Sequence, residues 1–313
     1  DMAAYQAKER LPVCGPYREF TLCGMAPPSS GGVAVIQILA QLQRFHLENY
    51  PVNSGQAIHL YTQSSRLAFA DRERYMADDD YVSVPVEGLL SEEYLAKRSA
   101  LIDPNQDMNK AHAGMPDGAV TLTDGNSMEQ PSTSHLSILD AQGNAISMTS
   151  SIENAFGSAL MVEGFILNNQ LTDFSFTPKK NDQMLANRVQ ANKRPRSSMA
   201  PMMIFNKDHS LKLLVGSPGG SRIINYVSQT IIGVLDWQLN PQEAINLPKI
   251  TNRNYVTTLE RGTTAQSLQP LLEAKGHTVR IRDLNSGLHA IELTKSGLVG
   301  GADPRREGVV LAK

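Results

Sequence analysis

The sequence predicts an α+β protein in which helices come first and antiparallel strands follow. Apolar residues recur at helical spacing through much of the first 100 residues, whereas after residue 133 they alternate in short runs separated by tight turns. Short turns between strands favour antiparallel pairing. With 313 residues and 41% hydrophobic content, the chain can bury a sizeable core as one large domain or two modest ones.

Three helices are predicted before the pattern changes. The first covers residues 31–49 and follows the Pro-Pro-Ser-Ser segment at 27–30, which is typical of a capped helix start. The others cover residues 56–75 and 91–102. Residues 103–132 lack periodicity and are rich in turn formers, so we expect a long loop or linker, a feature that is commonly functional or flexible.

Two hairpins are predicted further along the chain. One joins strands at 134–140 and 144–151, and the other joins strands at 202–206 and 211–215. A glycine-rich turn then leads into a helix from residue 221 to about residue 237. The remaining predicted elements are helices near 241–246 and 265–275 and strands at 255–260, 278–282 and 288–293.

The charge balance gives no indication of a nucleic-acid or membrane-surface partner, because the net charge is −2 and the pI is near 6.4. No apolar run approaches the roughly 18 residues of a membrane helix. The seven histidines are scattered and show no metal-ligand spacing, so no metal site is predicted. We therefore expect small solutes as partners.

The only cysteines are Cys14 and Cys23. A hairpin turning at Gly15-Pro16 would bring them opposite each other and allow a disulfide. Two buried free thiols are the alternative, and we favour it slightly at this stage.

Residues 133–140 read Thr-Ser-His-Leu-Ser-Ile-Leu-Asp at the junction between the linker and the first strand. A threonine that starts a strand is ordinary in itself. This run, however, resembles the maturation site of the gamma-glutamyltransferase family throughout its length. Other matching segments occur in the family's order at 27–32, 156–157, 167–170, 173–175, 193–195, 197–199, 216–222 and 303–305.

The resemblance implies the four-layer αββα sandwich of the N-terminal-nucleophile hydrolases, without the N-terminal part of the large subunit. Residues 1–132 would be the C-terminal part of that subunit and residues 133–313 the small catalytic subunit, both made from one precursor. Self-cleavage between Ser132 and Thr133 would leave Thr133 with a hydroxyl and an amine whose pKa is ordinarily about 8. Nucleophile and base would then be one residue, and no cofactor is implied.

Further site residues follow from the same resemblance. Ser151, where the family usually has Thr, would orient the nucleophile, although an exposed serine ending a strand is the plainer interpretation. Gly219 and Gly220 would supply N–H groups to an oxyanion, although such a turn is also typical of a bare helix start or a phosphate cradle. His135 lies inside the matching run and is expected to be structural.

Substrate recognition requires groups for an α-ammonium and an α-carboxylate. The resemblance implies that Glu153, Gln170 and Asp173 face the ammonium, and that Ser197 and Ser198 donate to the carboxylate. Glu153 replaces the Asn found in several family members, which either strengthens ammonium binding or indicates a different acyl group.

Two other departures concern the site. The stretch 176–192 is shorter than in well-known bacterial members and lacks their Gly- and Tyr-containing lid, so bulkier substrates could enter. The arginine that clamps the substrate carboxylate in the family has no counterpart in this chain, so the chain alone is expected to be incomplete.

The implied activity is transfer of a gamma-glutamyl group from glutathione or a related amide to water, an amino acid or a peptide, in a periplasmic or secreted enzyme. A cephalosporin-acylase-type amidase on the same scaffold is the nearest alternative. An uncleaved, non-catalytic binding protein is another. A conventional Ser-His-Asp hydrolase is disfavoured because no Gly-x-Ser-x-Gly elbow occurs.

Overall fold

The computed structural model describes residues 5–125 and 132–312. The α-helices are α1 (Gly31–Leu42), α2 (Gly55–Tyr75), α3 (Val86–Leu90), α4 (Glu92–Ala100), α5 (Ile223–Leu235), α6 (Pro241–Asn246) and α7 (Gln269–Ala274). Short 3-10 turns occur at Gln43–Phe45, Leu47–Asn49, Gln170–Asp173, Gly220–Arg222 and Thr264–Leu268. The strands are β1 (Val13–Tyr17), β2 (Phe20–Gly24), β3 (Ser134–Leu139), β4 (Ala145–Ser150), β5 (Met161–Val162), β6 (Phe165–Ile166), β7 (Lys179–Lys180), β8 (Gln183–Met184), β9 (Met202–Phe205), β10 (Leu211–Gly216), β11 (Ile250–Asn252), β12 (Val256–Glu260), β13 (Thr278–Arg282), β14 (His289–Thr294) and β15 (Gly297–Ala302).

The main sheet has six strands in the order β1-β2-β9-β10-β14-β15, and every neighbouring pair is antiparallel, as predicted. Strands from before and after residue 133 pair directly, because β2 lies beside β9. The two predicted subunits therefore share one sheet. A smaller three-stranded sheet departs from the expectation, since β12 and β13 run parallel within it.

Helices cover one face of the main sheet and the β3–β4 hairpin packs on the other. Successive residues of β10 point to opposite faces. Leu213 and Val215 join the core beneath α1, α2 and α5. Gly216 instead faces His135 of β3, and a Cβ on this glycine would come within 2.2 Å of the imidazole. Glycine is needed here for the close approach of the hairpin.

The β3–β4 hairpin turns its apolar side away from the main sheet. Leu136 is paired with Met148, and Ile138 with Ile146, and all four side chains are 41–48% exposed. The residues that alternate with them, including Ser137 and Thr149, point inward. The described residues thus form a helical layer, the main sheet and the beginning of a second sheet. This is the order of the first three layers of an αββα sandwich.

Cys14 and Cys23 form a disulfide, so the expectation of free thiols was wrong. The predicted position of the turn was also wrong. Gly15-Pro16 lies inside β1, an edge strand, where proline is tolerated. The chain reverses at Arg18-Glu19 instead, because the Tyr17 hydroxyl (2.6 Å) and the Arg18 guanidinium (2.7 Å) both bind Asp236 and anchor this end of the strand.

The helix predicted at 31–49 begins at the expected place, but Ser30 does not cap it with its side chain. The hydroxyl of Ser30 instead donates to the carbonyl of Ser197 at 2.7 Å. A tertiary hydrogen bond has therefore taken the place of the predicted local one.

The predicted linker contains no helix and no strand over its described part, residues 103–125, and residues 126–131 lie outside the description. This part is held against the fold rather than projecting from it. The N–H of Gly114 donates to Asp71 (2.9 Å), and the N–H of Gly125 donates to the carbonyl of Glu73 (3.1 Å). In the same described ranges, no helix is both long and apolar enough to cross a membrane.

Candidate active site

Thr133 lies immediately before β3, and the hairpin register places it beside Ser151, the residue after β4. Its hydroxyl donates to the carbonyl oxygen of Ser132 and lies 3.2 Å from the Oγ of Ser151. Ser151 donates to the same carbonyl at 3.0 Å and accepts a hydrogen bond from the N–H of Glu153 at 2.9 Å. Two hydroxyl groups therefore flank the Ser132–Thr133 peptide bond, and the backbone orients one of them.

Two buried carboxylates form one wall of the cavity next to Thr133. Asp173 is 5% exposed and accepts a hydrogen bond from Gln170 at 2.5 Å. Glu153 is 3% exposed and accepts one from Asn169 at 2.6 Å. Glu153 also has a φ of +72°, a left-handed conformation in which Asn is the more usual non-glycine residue. Paired acidic groups at this depth fit a cationic ligand.

Ser197 and Ser198 line the same cavity. The Oγ of Ser197 accepts a hydrogen bond from the N–H of Met199 at 3.1 Å, and the Oγ of Ser198 accepts one from the guanidinium of Arg72 at 2.5 Å. Each oxygen accepts a hydrogen bond from another group of the protein, so its own proton points away from that donor. Hydroxyl donors in this arrangement suit an anion.

Only one of the two glycines predicted to bind the oxyanion lines this cavity. Gly220 lines it, whereas Gly219 is not among the lining residues. Gly219 has a φ of +137° and a Cβ on it would come within 2.7 Å of the Tyr226 ring, so both backbone conformation and space require glycine. Apart from Gly219, every residue predicted for the site lines this one cavity.

His135, two residues after Thr133, is buried and is held by Thr149 (2.8 Å) and Ser137 (3.2 Å). Burial lowers its pKa to about 3, with a smaller effect from His289, so the imidazole is neutral at physiological pH. A neutral, enclosed ring between two strands agrees with the structural role expected from the sequence.

Sequence reasoning missed three groups at the site. Asn169 orients Glu153, Arg72 binds Ser198, and Arg306 donates to the carbonyl of Thr133 at 3.3 Å. Asn169 lies in a segment already noted for its resemblance to the family and could have been found there. Arg72 and Arg306 come from distant parts of the chain, and no local pattern marks them.

Three other carboxylates that do not line this cavity come together, those of Asp78, Asp79 and Asp80. Arg10 forms ion pairs with all three, and Lys8 pairs with Asp80. These partners account for the acidic cluster without an ion.

Comparison with known proteins places the chain in a family. The gamma-glutamyltranspeptidase family model matches residues 1–313. The glutathione hydrolase proenzyme of Escherichia coli is 37% identical over 97% of this chain, and that of Bacillus subtilis is 35% identical over 99%. An acylase proenzyme (Acylase ACY 1) from a Pseudomonas species is 33% identical over 100% of this chain.

A cephalosporin acylase from Bacillus halodurans has the same fold, with a TM-score of 0.84 over 100% of this chain and 55% of its own, at 24% identity. The chain spans about half the length of the curated relatives it matches, 53% and 54% for the two glutathione hydrolases. The expected fold of the N-terminal-nucleophile hydrolases is thus confirmed. The chain belongs to the gamma-glutamyltranspeptidase family.

Proposed function

We propose that this chain is the part of a gamma-glutamyltransferase, or glutathione hydrolase, that carries the reactive threonine, Thr133. The observation on which the proposal rests is the contact of the Thr133 hydroxyl with the carbonyl of Ser132, next to a hydroxyl on Ser151 that donates to the same oxygen. Residues 1–132 would belong to the large subunit and residues 133–313 would be the small one.

Self-cleavage would begin with attack of the Thr133 Oγ on the carbonyl carbon of Ser132. The Ser132–Thr133 C–N bond breaks, the hydroxyl proton passes to the amine, and the resulting ester is hydrolysed to a Ser132 carboxylate and a Thr133 N-terminus. Ser151, which donates to the carbonyl oxygen, would stabilise the negative charge that develops on it. The two products would stay together, because β2 and β9 belong to one sheet.

In turnover, the new amine would accept the proton of the Thr133 hydroxyl as its oxygen attacks the γ-carbonyl of the donor. The N–H groups of Gly219 and Gly220 are proposed to hold the oxyanion. The amine of the donor leaves with a proton, and water or an amino acid then attacks the acyl-enzyme ester.

The carboxylates of Glu153 and Asp173 would bind the ammonium of the donor, assisted by Gln170. The hydroxyls of Ser197 and Ser198 would bind its α-carboxylate.

A cephalosporin-acylase-type amidase is the second candidate. It is supported by the Pseudomonas acylase relative and by the short 176–192 stretch. A glutaryl amide has no ammonium, so two buried carboxylates favour the gamma-glutamyl donor instead. Rates with glutaryl and gamma-glutamyl anilides would separate the two.

We also propose a periplasmic or secreted location for the enzyme. The Cys14–Cys23 disulfide supports it, because disulfides persist mainly in oxidising compartments.

The decisive test is the intact mass of the full-length precursor and of its Thr133→Ala variant. The natural protein should resolve into two fragments, the smaller beginning at Thr133, and release anilide from gamma-glutamyl-p-nitroanilide. The variant should remain one chain and release none. A variant that still splits at this bond would refute the proposal, and a natural precursor that stays intact after long incubation would favour the non-catalytic binding protein.

A further inference from the structure

The segment 27–32 has no part in the chemistry proposed above, yet it runs along the serine pair. The N–H of Ser197 donates to the carbonyl of Pro28 (3.0 Å), and the N–H and hydroxyl of Ser30 both donate to the carbonyl of Ser197 (2.8 and 2.7 Å). The hydroxyl of Ser29 donates to the carbonyl of Met199 at 2.5 Å. These bonds fix the backbone on both sides of Ser198.

Arg72 joins this segment to the serine itself. It lies in the last turn of α2 and is only 2% exposed. Its Nε donates to the hydroxyl oxygen of Ser30 at 2.8 Å, and its Nη2 donates to that of Ser198 at 2.5 Å. The planar guanidinium therefore sets the distance between the two hydroxyl oxygens, which a lysine ammonium cannot do in the same way.

The polarity of the Arg72–Ser198 bond determines what Ser198 can do. A guanidinium has donors and no acceptor, so the Ser198 oxygen must accept and its proton must point away from Arg72. Glu73 in turn holds Arg72, accepting from Nη1 at 2.6 Å, and binds Arg196, the residue before the serine pair. The acceptor role of the Ser198 oxygen is thus built into a network of Arg72, Glu73 and Arg196.

We propose that Arg72, supported by Ser30, is a positioning residue for recognition of the donor's α-carboxylate. It acts through Ser198: the guanidinium binds the Ser198 hydroxyl oxygen, and the same hydroxyl group would donate to the carboxylate of the donor. This inference rests on the proposed function, since it assumes that Ser197 and Ser198 receive that carboxylate.

The test uses the full-length precursor and two anilides that differ only in the carboxylate. Gamma-glutamyl-p-nitroanilide has it, and 4-aminobutyryl-p-nitroanilide lacks it but keeps the amine. Arg72→Met should lower kcat/KM for the first by about tenfold to a hundredfold, mainly through KM, and leave the second within about twofold. Inhibition constants of glutamate and 4-aminobutyrate should show the same loss of discrimination.

Two further variants separate positioning from general destabilisation. Arg66→Lys is the matched control, because Arg66 is a fully buried arginine of the same helix whose hydrogen bonds go to Asp107, Asn109 and Tyr255. It should change both anilides by the same factor. Ser198→Ala should mimic Arg72→Met, and the double variant should be little worse than either single one.

An active Arg72→Met enzyme with an unchanged ratio between the two anilides would overturn the positioning role and leave the proposed function standing. Should that variant fail to fold or cleave, Arg72→Lys provides the same comparison, with the same ratio expected to fall. A natural precursor that releases anilide from neither donor would instead refute the proposed function and, with it, the inference.

Discussion

Replacement of Asp173 by Asn in the complete precursor tests the proposed ammonium site most directly. The side chain keeps its volume and can still accept a hydrogen bond from Gln170, now 2.5 Å from Oδ2, but it loses the negative charge. The backbone is held independently, because Asn187 donates to the carbonyl of Asp173 at 2.7 Å. We therefore expect cleavage at Thr133 to survive.

The size of the effect follows from burial. A hydrogen bond between a charged pair contributes about 1.5 to 3 kcal/mol, and about 1.4 kcal/mol corresponds to a factor of ten. Because Asp173 is 5% exposed, little water can reach the site to solvate the ammonium in place of the lost carboxylate charge. The kcat/KM for gamma-glutamyl-p-nitroanilide should therefore fall roughly 10- to 150-fold. Glu153 in the same cavity keeps the effect toward the lower end of that range.

The assay compares this donor with glutaryl-p-nitroanilide, which has no ammonium and should not lose efficiency in the variant. Asp208→Asn, at the exposed turn between β9 and β10, is the control for removing a carboxylate and should leave both donors unchanged. A fall of less than about threefold in the Asp173 variant would show that its carboxylate does not bind the ammonium.

Three other predictions concern the nucleophile, the oxyanion and stability. Thr133→Ser keeps the hydroxyl and amine but loses the methyl that restricts the rotamer, so mass spectrometry and anilide release should show cleavage and turnover at reduced rates. Gly220→Val places a branched side chain at a φ of +58° and should lower kcat by about a hundredfold or more, and a folded, near-fully active variant would refute the oxyanion assignment. Burial lowers the pKa of His277 to about 4, below its ordinary value in the unfolded chain, so its contribution is complete above about pH 6.5 and decreases by up to about 1.4 kcal/mol per pH unit as the pH falls toward 4. Urea unfolding near pH 7 and near pH 5 should show this loss, and His277→Gln should reduce it; equal pH dependence in both proteins would contradict the assignment.

Most elements could be predicted from the sequence because their causes are local. Helical spacing identified α2 and α4, and alternation with a turn identified the β3–β4 hairpin within one residue at each end. Since register follows from a short turn, the meeting of Thr133 with Ser151 was also implicit in the sequence. The family resemblance added the remaining candidate residues, and all but Gly219 line one cavity.

Local patterns failed where a distant residue competed for the same group. The segment at 27–30 was predicted to cap α1, but the hydroxyl of Ser30, its last residue, donates to the carbonyl of Ser197. The turn near the cysteines was predicted at Gly15-Pro16, but Asp236 anchors Tyr17 and Arg18 and moves it along the chain. In both cases a buried tertiary hydrogen bond decides the local structure, because the free energy of a local preference is no larger than that of one such bond.

The sequence by itself therefore determined the class of fold and the order of the elements that were predicted, because periodicity and turn chemistry act over a few residues. The run at 133–140 was marked by its resemblance to the family. Only the tertiary structure decided that Arg72 meets Ser198, 126 positions away, and that β12 and β13 pair in parallel. Such contacts depend on how the helices and sheets pack around a common core, where an arginine can be buried only if acceptors from several segments converge on it.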